Sequence, residues 1–261
     1  MIRTAVAVAR TAFIILATAI VTVVLATLVL VAVALRVTPG PRSVFARAPR
    51  WWSAAVLWSA GVRVRVHGAE RAARVTGAGG CIFMSNHVSL FDIPALVHAL
   101  PPVTFVAKAE LFRIPVFGAG IRAVGTIPIE RENRKAAFGA YDVAAGRLAA
   151  GASVMVFPEG TRGYEYPVRP FKKGPFVLAV KAGVPVVPCI VHGTIEILPK
   201  RTFLIRPGVV DVHVLDPVPT DGLSYDGRDA LATEVHARME TAMSSLYLYS
   251  QPEQSTRACL A

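Results

Sequence analysis

The pattern of hydrophobic positions divides the chain into an apolar N-terminal stretch and a longer part in which apolar runs alternate with polar segments. Residues 11–35 hold no charged side chain over twenty-five positions. At 1.5 Å per residue, a helix of this length would measure about 37 Å. A hydrocarbon core is about 30 Å thick, so the pattern predicts a membrane helix. A signal peptide is the alternative, although its apolar region is usually only about 7–15 residues long.

A Pro/Gly-rich segment separates this helix from a second helical pattern, over residues 47–62. Trp51, Ala55, Trp58 and Val62 recur at helical spacing and would share one face. Tryptophan beside arginine is typical of the headgroup level of a bilayer. We therefore expect an interfacial helix here, and packing of this face on the protein core is the alternative.

Seven short apolar runs follow, separated by helical or turn-rich segments, which predicts strands interleaved with helices. The runs are 62–67, 81–84, 103–107, 124–129, 153–157, 186–192 and 209–215. Helical periodicity is clearest over 133–150 and 228–246. The alternation predicts an α/β fold with a largely buried central sheet flanked by helices. We divide the chain into an N-terminal membrane region (1–61), a globular domain (62–249) and a flexible tail (250–261).

Composition and charge support a membrane location. The chain is 54% hydrophobic, which excludes disorder. Only 17% of its residues are charged, whereas ordinary soluble chains have roughly 25%. The low share of charged residues indicates that part of the chain belongs in lipid. Its net charge is +11, and the eight arginines before Glu70 have no acidic residue among them. With no nucleic-acid motif present, this segment favours an anionic membrane surface over nucleic acid. More arginines follow the apolar helix than precede it, which predicts a cytoplasmic globular part at the inner membrane.

Cysteine and histidine spacing gives little sign of metal chemistry. Cys81, Cys189 and Cys259 form no C-x-x-C pair, so neither a disulfide framework nor a cysteine zinc site is predicted. Cys81 and Cys189 lie in apolar runs and are expected to be buried. His192 and His213 lie in strand-like runs, where ordinary packing or an edge position is expected. The absence of H-E-x-x-H and G-x-S-x-G patterns argues against metal catalysis and a serine-hydrolase mechanism.

The first candidate for chemistry is the segment from Asn86 to Asp92, which directly follows an apolar run. His87 would leave the end of a strand, a common position for active sites on α/β sheets. His87 and Asp92 are five residues apart, about 140° around a regular helix, so they could meet only across a turn. An aspartate bonded to one imidazole nitrogen would leave the other as a base. Taken alone, this spacing is weak evidence, and a structural or incidental role for the two residues is the alternative.

A second polar cluster follows the apolar run at 153–157. Gly160 allows close backbone approach, Thr161 offers a hydroxyl, and Arg162 offers a planar fork that matches phosphate. Glu159 should orient Arg162 or a neighbouring backbone amide. These residues and the Lys-Lys pair at 172–173 predict an anion-binding turn, with an ordinary solvated loop as the alternative. Two further cations, Arg131 at a strand end and Lys108, are candidates for binding or neutralising phosphate, or else routine surface cations.

In combination, four blocks resemble the four motifs of the glycerolipid acyltransferases, most closely the bacterial lysophosphatidate (1-acyl-sn-glycerol-3-phosphate) acyltransferases. Residues 87–92 match H-x4-D, 125–131 match G-x-x-F-I-x-R, 157–162 match F-P-E-G-T-R, and 184–188 match an apolar, proline-containing block. The match spans about 62–215. Two departures leave acceptor specificity less defined: Ile127-Pro128 replaces x-Phe, and Gly163 replaces the serine that commonly follows the arginine.

The resemblance implies that His87 is the general base and Asp92 its partner. It implies a substrate site built from Asn86, Lys108, Gly125, Arg131, Glu159, Gly160, Thr161 and Arg162. The implied reaction moves a fatty acyl group from acyl-CoA or acyl carrier protein to the sn-2 hydroxyl of a membrane lipid, 1-acylglycerol-3-phosphate, giving phosphatidate for phospholipid synthesis. It needs no cofactor and no metal. Acylation of another lysolipid, such as a lyso-ornithine lipid or a lysophospholipid, is an alternative, as is a membrane-anchored interaction protein without activity.

Overall fold

The computed structural model of the protein describes residues 2–40, 42–130 and 134–249, which form strands and helices in alternation. The strands are β1 (Val62–His67), β2 (Ile82–Ser85), β3 (Val103–Lys108), β4 (Ile127–Ile129), β5 (Ser153–Val156), β6 (Val186–His192) and β7 (Gly208–Val214). The α-helices are α1 (Ile2–Ala34), α2 (Val44–Ala60), α3 (Ala69–Ala78), α4 (Asp92–Ala99), α5 (Phe117–Ala123), α6 (Arg134–Ala149), α7 (Gly174–Ala182), α8 (Thr194–Ile197) and α9 (Arg228–Tyr249). Short 3-10 helices cover Ala109–Arg113 and Tyr225–Gly227.

Within the described residues, the seven strands form one sheet in the order β1-β7-β6-β2-β5-β3-β4. The neighbours pair in parallel, except for the antiparallel pair β6 and β7. Strand β2 lies at the centre, and Ile82 pairs with Val154 of β5 and with Val186 of β6. Because these three strands run in the same direction, the loops that follow them meet at one edge of the sheet.

Both faces of the central strands are covered by helices. Residues of β2 and β5 are buried throughout, as expected for uninterrupted apolar runs in a parallel sheet. One face packs with α6, α7 and α9 and the other with α2 and α4, so that side chains alternate between two clusters. Met84 and Val156 lie in the first cluster, and Phe83 and Met155 lie in the second. The α/β prediction is therefore confirmed.

The N-terminal helix α1 packs along the domain. Its segment Ala5–Ala34 is long and apolar enough to cross a membrane. A stripe of its residues is nevertheless buried against the protein, namely Thr11, Ile14, Ala26, Val29 and Ala32. The amide of Ile205 donates to Thr11 Oγ1 at 3.0 Å, and Trp52 Nε1 donates to Thr22 Oγ1 at 2.9 Å. The other faces of the helix expose Val, Leu, Ile and Phe side chains, an apolar surface that a soluble protein rarely shows to water.

In the second helix, α2, the two tryptophans of the predicted face are exposed, but Val62 is not part of the helix. Trp51 and Trp58 are exposed, at 47% and 81%, so the alternative in which this face packs on the core is wrong for both. Val62 does not belong to the helix, because Gly61 adopts a left-handed conformation (φ 67°) and Val62 begins β1. Its side chain is buried in the core cluster on the α2 side of the sheet.

Most predicted strands match the observed strands closely, and β1 and β6 have the predicted bounds. The run 124–129 is shorter than predicted, because Gly125 forms a turn (φ 94°) and pairing begins at Ile127. Cys81 and Cys189 are free and fully buried, as expected. Cys259 lies outside the described residues.

Candidate active site

The loop between β2 and α4 brings His87 and Asp92 together. His87 Nδ1 lies 2.7 Å from Asp92 Oδ2, and both residues are buried. The predicted turn is present, since Asp92 is the first residue of α4 and its side chain reaches back across the loop. With Nδ1 donating to the carboxylate, the tautomer leaves Nε2 of His87 as the basic nitrogen.

Asp92 is held by hydrogen bonds on both oxygens. Oδ2 also accepts from the backbone amides of Val88, at 2.7 Å, and Ser89, at 2.8 Å. Oδ1 accepts from Thr194 Oγ1 at 2.6 Å. A negative side chain in the first turn of α4 is stabilised further by the helix dipole. The carboxylate therefore has one fixed orientation, and it fixes the imidazole in turn.

The loop that follows β5 contacts His87 through both ring and backbone. The Phe157 ring stacks on the imidazole, with 4.0 Å between ring centroids. Glu159 Oε1 accepts from the His87 amide at 3.1 Å, and the Gly163 amide donates to the His87 carbonyl at 2.7 Å. The H-x4-D block and the F-P-E-G-T-R block are thus joined into one unit, although some seventy residues separate them.

Glu159 is part of the support for His87. It is 4% exposed, and its Oε2 accepts from Arg169 Nε at 2.7 Å. Burial raises the pKa of Glu159, while the hydrogen bonds from the His87 amide and Arg169 oppose that rise. The expectation that Glu159 orients a neighbouring amide is confirmed by this contact, but the arginine it pairs with is Arg169 and not Arg162.

Asn86 lies beside this unit and points into the sheet. Its Nδ2 donates to the Val191 carbonyl at 2.9 Å, and its Oδ1 accepts from the Val191 amide at 2.8 Å. Both polar atoms of the amide are therefore used on β6, and the side chain is buried. This placement gives Asn86 the role of anchoring the loop that carries His87, in place of the expected substrate contact.

A cavity of about 650 Å³ lies against the loop after β5. Its apolar lining comes from β3, β4, β5 and α7, and its rim carries Gly160, Thr161, Lys172, Lys173 and Arg228. Gly160 has a left-handed conformation (φ 78°), which glycine adopts without strain. Phe157, which stacks on His87, also lines the cavity. An apolar interior with a basic rim suits a ligand that has a hydrocarbon chain and an anionic head.

Arg162 follows this rim and is partly exposed. Its carbonyl accepts from Lys200 Nζ at 2.8 Å, and no ion pair holds its guanidinium among the described residues. Thr161 is exposed, and its carbonyl accepts from Arg169. The loop therefore carries an accessible cation, and its binding of an anion stays a prediction.

Lys108 and Gly125 are not among the residues that line the cavity. Lys108 is exposed and pairs with Glu110 at 3.0 Å. Gly125 precedes β4, at the sheet edge opposite the loop of His87, and its carbonyl accepts from Arg147. Its contacts indicate a role in the turn. Arg131 lies outside the described residues.

Sequence reasoning missed the residues that support the pair from a distance. Thr194 bonds Asp92 across 102 positions of sequence, and no local motif marks it. Tyr166 positions the same segment, because its hydroxyl donates to Glu196 Oε2 at 2.5 Å and accepts from the Gly193 amide at 2.7 Å. Burial and the nearby Glu196 carboxylate raise the pKa of Tyr166, so it stays protonated as a donor. For Arg169, the only indication in the sequence is that a cation follows the F-P-E-G-T-R block in the same loop.

Comparisons with known proteins show which family the chain belongs to. A family model described as Acyltransferase matches residues 63–192. The chain is 30% identical over 207 residues to the human 1-acyl-sn-glycerol-3-phosphate acyltransferase beta, covering 78% of this chain and 73% of that protein. The chain therefore belongs to the acyltransferase family, as the resemblance in its sequence indicated.

Two further relatives carry the same kind of name. The chain is 35% identical over 159 residues to a 1-acyl-sn-glycerol-3-phosphate acyltransferase of Chlamydomonas reinhardtii, covering 59% of this chain and 48% of that one. The crystal structure of the 1-acyl-sn-glycerophosphate (LPA) acyltransferase PlsC from Thermotoga maritima has a TM-score of 0.79 and 26% identity, covering 94% of this chain and 98% of that one. The chain spans between about half and two thirds of the length of the first curated relatives it matches.

Proposed function

We propose that the protein transfers a fatty acyl group from an acyl thioester to the free sn-2 hydroxyl of 1-acylglycerol-3-phosphate, giving phosphatidate for phospholipid synthesis. The observation that carries this proposal is the buried pair of His87 Nδ1 and Asp92 Oδ2, 2.7 Å apart, beside the basic cavity. The names of the relatives and of the solved structure support the choice of substrate.

The pair supplies general base catalysis. Nε2 of His87 takes the proton of the acceptor hydroxyl while the oxygen attacks the thioester carbonyl. The resulting tetrahedral intermediate collapses, the carbon–sulfur bond breaks, and the imidazolium returns its proton to the leaving thiolate. Asp92 stabilises the imidazolium between these steps and keeps its orientation. No acyl-enzyme intermediate is needed, and the thiol carrier, coenzyme A or acyl carrier protein, acts as co-substrate without a bound cofactor or metal.

The cavity beside the loop after β5 suits the phosphate-headed acceptor. Its rim carries Lys172, and also Lys173 and Arg228, which are both paired with Asp229. The accessible guanidinium of Arg162 follows the same loop. A guanidinium matches phosphate geometry with two parallel hydrogen bonds, whereas an ammonium acts as a point charge. We therefore assign head-group recognition to Arg162, assisted by the lysines of the rim. The corresponding role for Arg131 stays a prediction from sequence.

The exposed apolar surface of α1 supports the membrane location that we propose. From Thr11 to Ala32 the helix extends about 32 Å, and one stripe along that length is buried against the protein. A helix that crosses a bilayer alone has lipid on all sides. We propose instead that α1 lies in the cytoplasmic leaflet of the inner membrane, with its exposed faces among acyl chains and Trp58 at the headgroup level. The active site would then open where the acceptor resides.

The reaction is tested with purified protein in anionic vesicles, by supplying a labelled acyl thioester and one acceptor at a time. We expect labelled phosphatidate from 1-acylglycerol-3-phosphate, with both acyl-CoA and acyl carrier protein tried as donors. If only a lyso-ornithine lipid or a lysophospholipid with a larger head is acylated, the acceptor assignment is wrong and the alternative holds. No acylation of any lysolipid would favour an interaction protein without activity.

The role of Arg162 is tested by Arg162→Ala. We expect the apparent KM for 1-acylglycerol-3-phosphate to rise about 10-fold or more, because a charge-assisted hydrogen bond to phosphate contributes about 1.5–3 kcal/mol. Arg238→Ala is the matched control, since Arg238 lies on α9 and pairs there with Glu234. An unchanged KM in Arg162→Ala would show that this arginine does not bind the phosphate.

A further inference from the structure

A cluster of two histidines and one aspartate lies on β1 and β7, the two parallel strands at one edge of the sheet. His67 and His213 occupy paired positions of these parallel strands, and their rings stack with 4.2 Å between centroids. Asp211 lies two residues before His213, so their side chains share one face of β7. One possible ligand atom from each of the three residues lies within 4.8 Å of the others.

We propose that His67, Asp211 and His213 bind one divalent transition-metal ion, with Zn²⁺ as the best-matched ion. Two imidazole nitrogens and one carboxylate oxygen form the ligand set of zinc sites that keep a fourth position open for water or another ligand. Mg²⁺ and Ca²⁺ prefer oxygen ligands, so the two imidazoles select against them. The site is independent of the proposed acyl transfer.

His213 can bind a metal ion through Nε2 without giving up a hydrogen bond from that atom. Its Nε2 atom is buried and makes no hydrogen bond within the part of the chain that the structure describes. Most other buried polar side-chain atoms in the described part of the chain do have hydrogen-bond partners. A nitrogen with no partner to lose is favourable for coordination, because no existing hydrogen bond opposes it.

His67 and Asp211 need only a small adjustment. His67 Nε2 lies 2.7 Å from Asp211 Oδ1. Two ligands bound to one tetrahedral zinc ion at about 2.0–2.2 Å lie about 3.3–3.5 Å apart, so the pair must separate by about 0.6–0.8 Å. The side chain of His67 is 48% exposed and can make that movement at the surface.

Arg65 would compete with the metal ion for the carboxylate of Asp211. Its guanidinium donates to both oxygens of Asp211, at 2.9 and 2.7 Å. Its positive charge opposes a second cation, but the side chain is 65% exposed, so water screens the repulsion and the arginine can turn away. We therefore expect removal of Arg65 to strengthen metal binding, which an ordinary salt-bridge cluster would not do.

The surroundings leave room at the open coordination position. The cluster lines a groove of about 610 Å³, to which His192 and Glu196 also contribute. This groove and the cavity at Glu159 share no lining residue. A bound ion would connect the edge strand β1 to its neighbour β7. Binding of the ion should therefore raise the unfolding temperature of the protein.

The experiment uses the full chain in detergent, with any histidine tag removed, after treatment with EDTA. Calorimetric titration with ZnCl₂ should give one ion per chain, and Zn²⁺ should raise Tm. His213→Ala and His67→Gln should each weaken binding by at least about 10-fold, the size of effect seen when even indirect supports of a metal are removed. Arg65→Ala should bind more tightly than the wild type.

Two controls make the result specific. His192→Ala removes a histidine of the same groove, and His87→Ala removes the candidate catalytic base. Both should bind Zn²⁺ as the wild type does. The proposal is overturned if Zn²⁺ does not bind, or if binding and the Tm shift persist unchanged in His67→Gln. Because His67 lies at the surface, that variant should fold even if His213→Ala does not.

Discussion

The candidate catalytic pair, His87 and Asp92, and the basic rim of the cavity differ in how firmly the protein holds them. His87 is 7% exposed and Asp92 is fully buried, with hydrogen bonds on both carboxylate oxygens. Lys172 and Lys173 on the rim are exposed, and Arg162 is partly exposed. The pair has one orientation before any substrate binds, whereas the rim side chains can adjust to a ligand.

This contrast separates chemistry from recognition. Charges and hydrogen bonds act strongly in a buried site, where little water competes with them. Exposed cations contribute less to affinity, and salt screens them. Substitutions around the pair should therefore lower kcat, while substitutions at the rim should raise KM for a phosphate-headed acceptor and make it depend on salt.

The largest effect is expected from Asp92→Asn. The amide cannot accept hydrogen bonds on both sides, so the imidazole loses its fixed tautomer and the imidazolium loses its counter-charge. We expect kcat to fall about 10²- to 10⁴-fold, the usual range for loss of acid–base function. The measurement is the steady-state rate of phosphatidate formation, with Asp142→Asn as control, since Asp142 is an exposed carboxylate that pairs with Lys181. A kcat within about twofold of the wild type would refute the pairing.

Arg169→Gln should have the next largest effect. Removing this arginine leaves Glu159 buried without its ion pair, and Glu159 holds the His87 amide. We expect kcat to fall about 10-fold and unfolding free energy to drop by about 1–2 kcal/mol, less than for fully buried pairs because Arg169 is partly exposed. Denaturant unfolding and kinetics check both values. If only stability changes, Arg169 does not position His87.

Thr194→Val tests the distant support of Asp92. Valine keeps the shape but removes the hydroxyl that donates to Oδ1. We expect kcat to fall about 3- to 10-fold, equivalent to about 0.7–1.4 kcal/mol, with little change in KM. Thr194→Ser retains the donor and should recover most of the activity. If Thr194→Ser loses as much activity as Thr194→Val, the hydrogen bond to Asp92 does not by itself explain the effect.

Lys172→Ala tests the contribution of an exposed cation of the rim to binding of the acceptor. The exposed ammonium contributes a screened charge to the rim, so we expect KM for 1-acylglycerol-3-phosphate to rise about 2- to 5-fold, and less at high salt. Lys181→Ala removes a cation from the far end of α7 and is the control. A drop in kcat with KM unchanged would place Lys172 with the chemistry and not with recognition.

The fold was largely predictable because its strands are uninterrupted apolar runs. Residues of β2 and β5 are buried on both faces, and their sequences show it directly. Short helices such as α5 were missed, since seven residues give too little periodicity. The position of α1 was also beyond the sequence, because composition shows that a helix is apolar but not which of its faces another part of the protein covers.

The site was predictable where its residues are close in sequence. The spacing of His87 and Asp92 required a turn if the two were to meet, and that turn is observed. The resemblance to the acyltransferases, and not the spacing alone, singled out the pair. Thr194 and Arg169 escaped detection, because their roles arise only when β6 and the loop after β5 are brought beside β2 by the fold. Asn86 shows the converse: its position in the motif suggested substrate contact, but its amide bonds to the backbone of Val191.

The most direct test of the central claim is the rate of phosphatidate formation by His87→Ala at saturating 1-acylglycerol-3-phosphate. If the imidazole removes the proton of the acceptor hydroxyl, kcat falls at least about 10²-fold, while binding of the acceptor to the purified variant stays close to that of the wild type. If the variant instead forms phosphatidate at a rate close to the wild type, His87 is not the base.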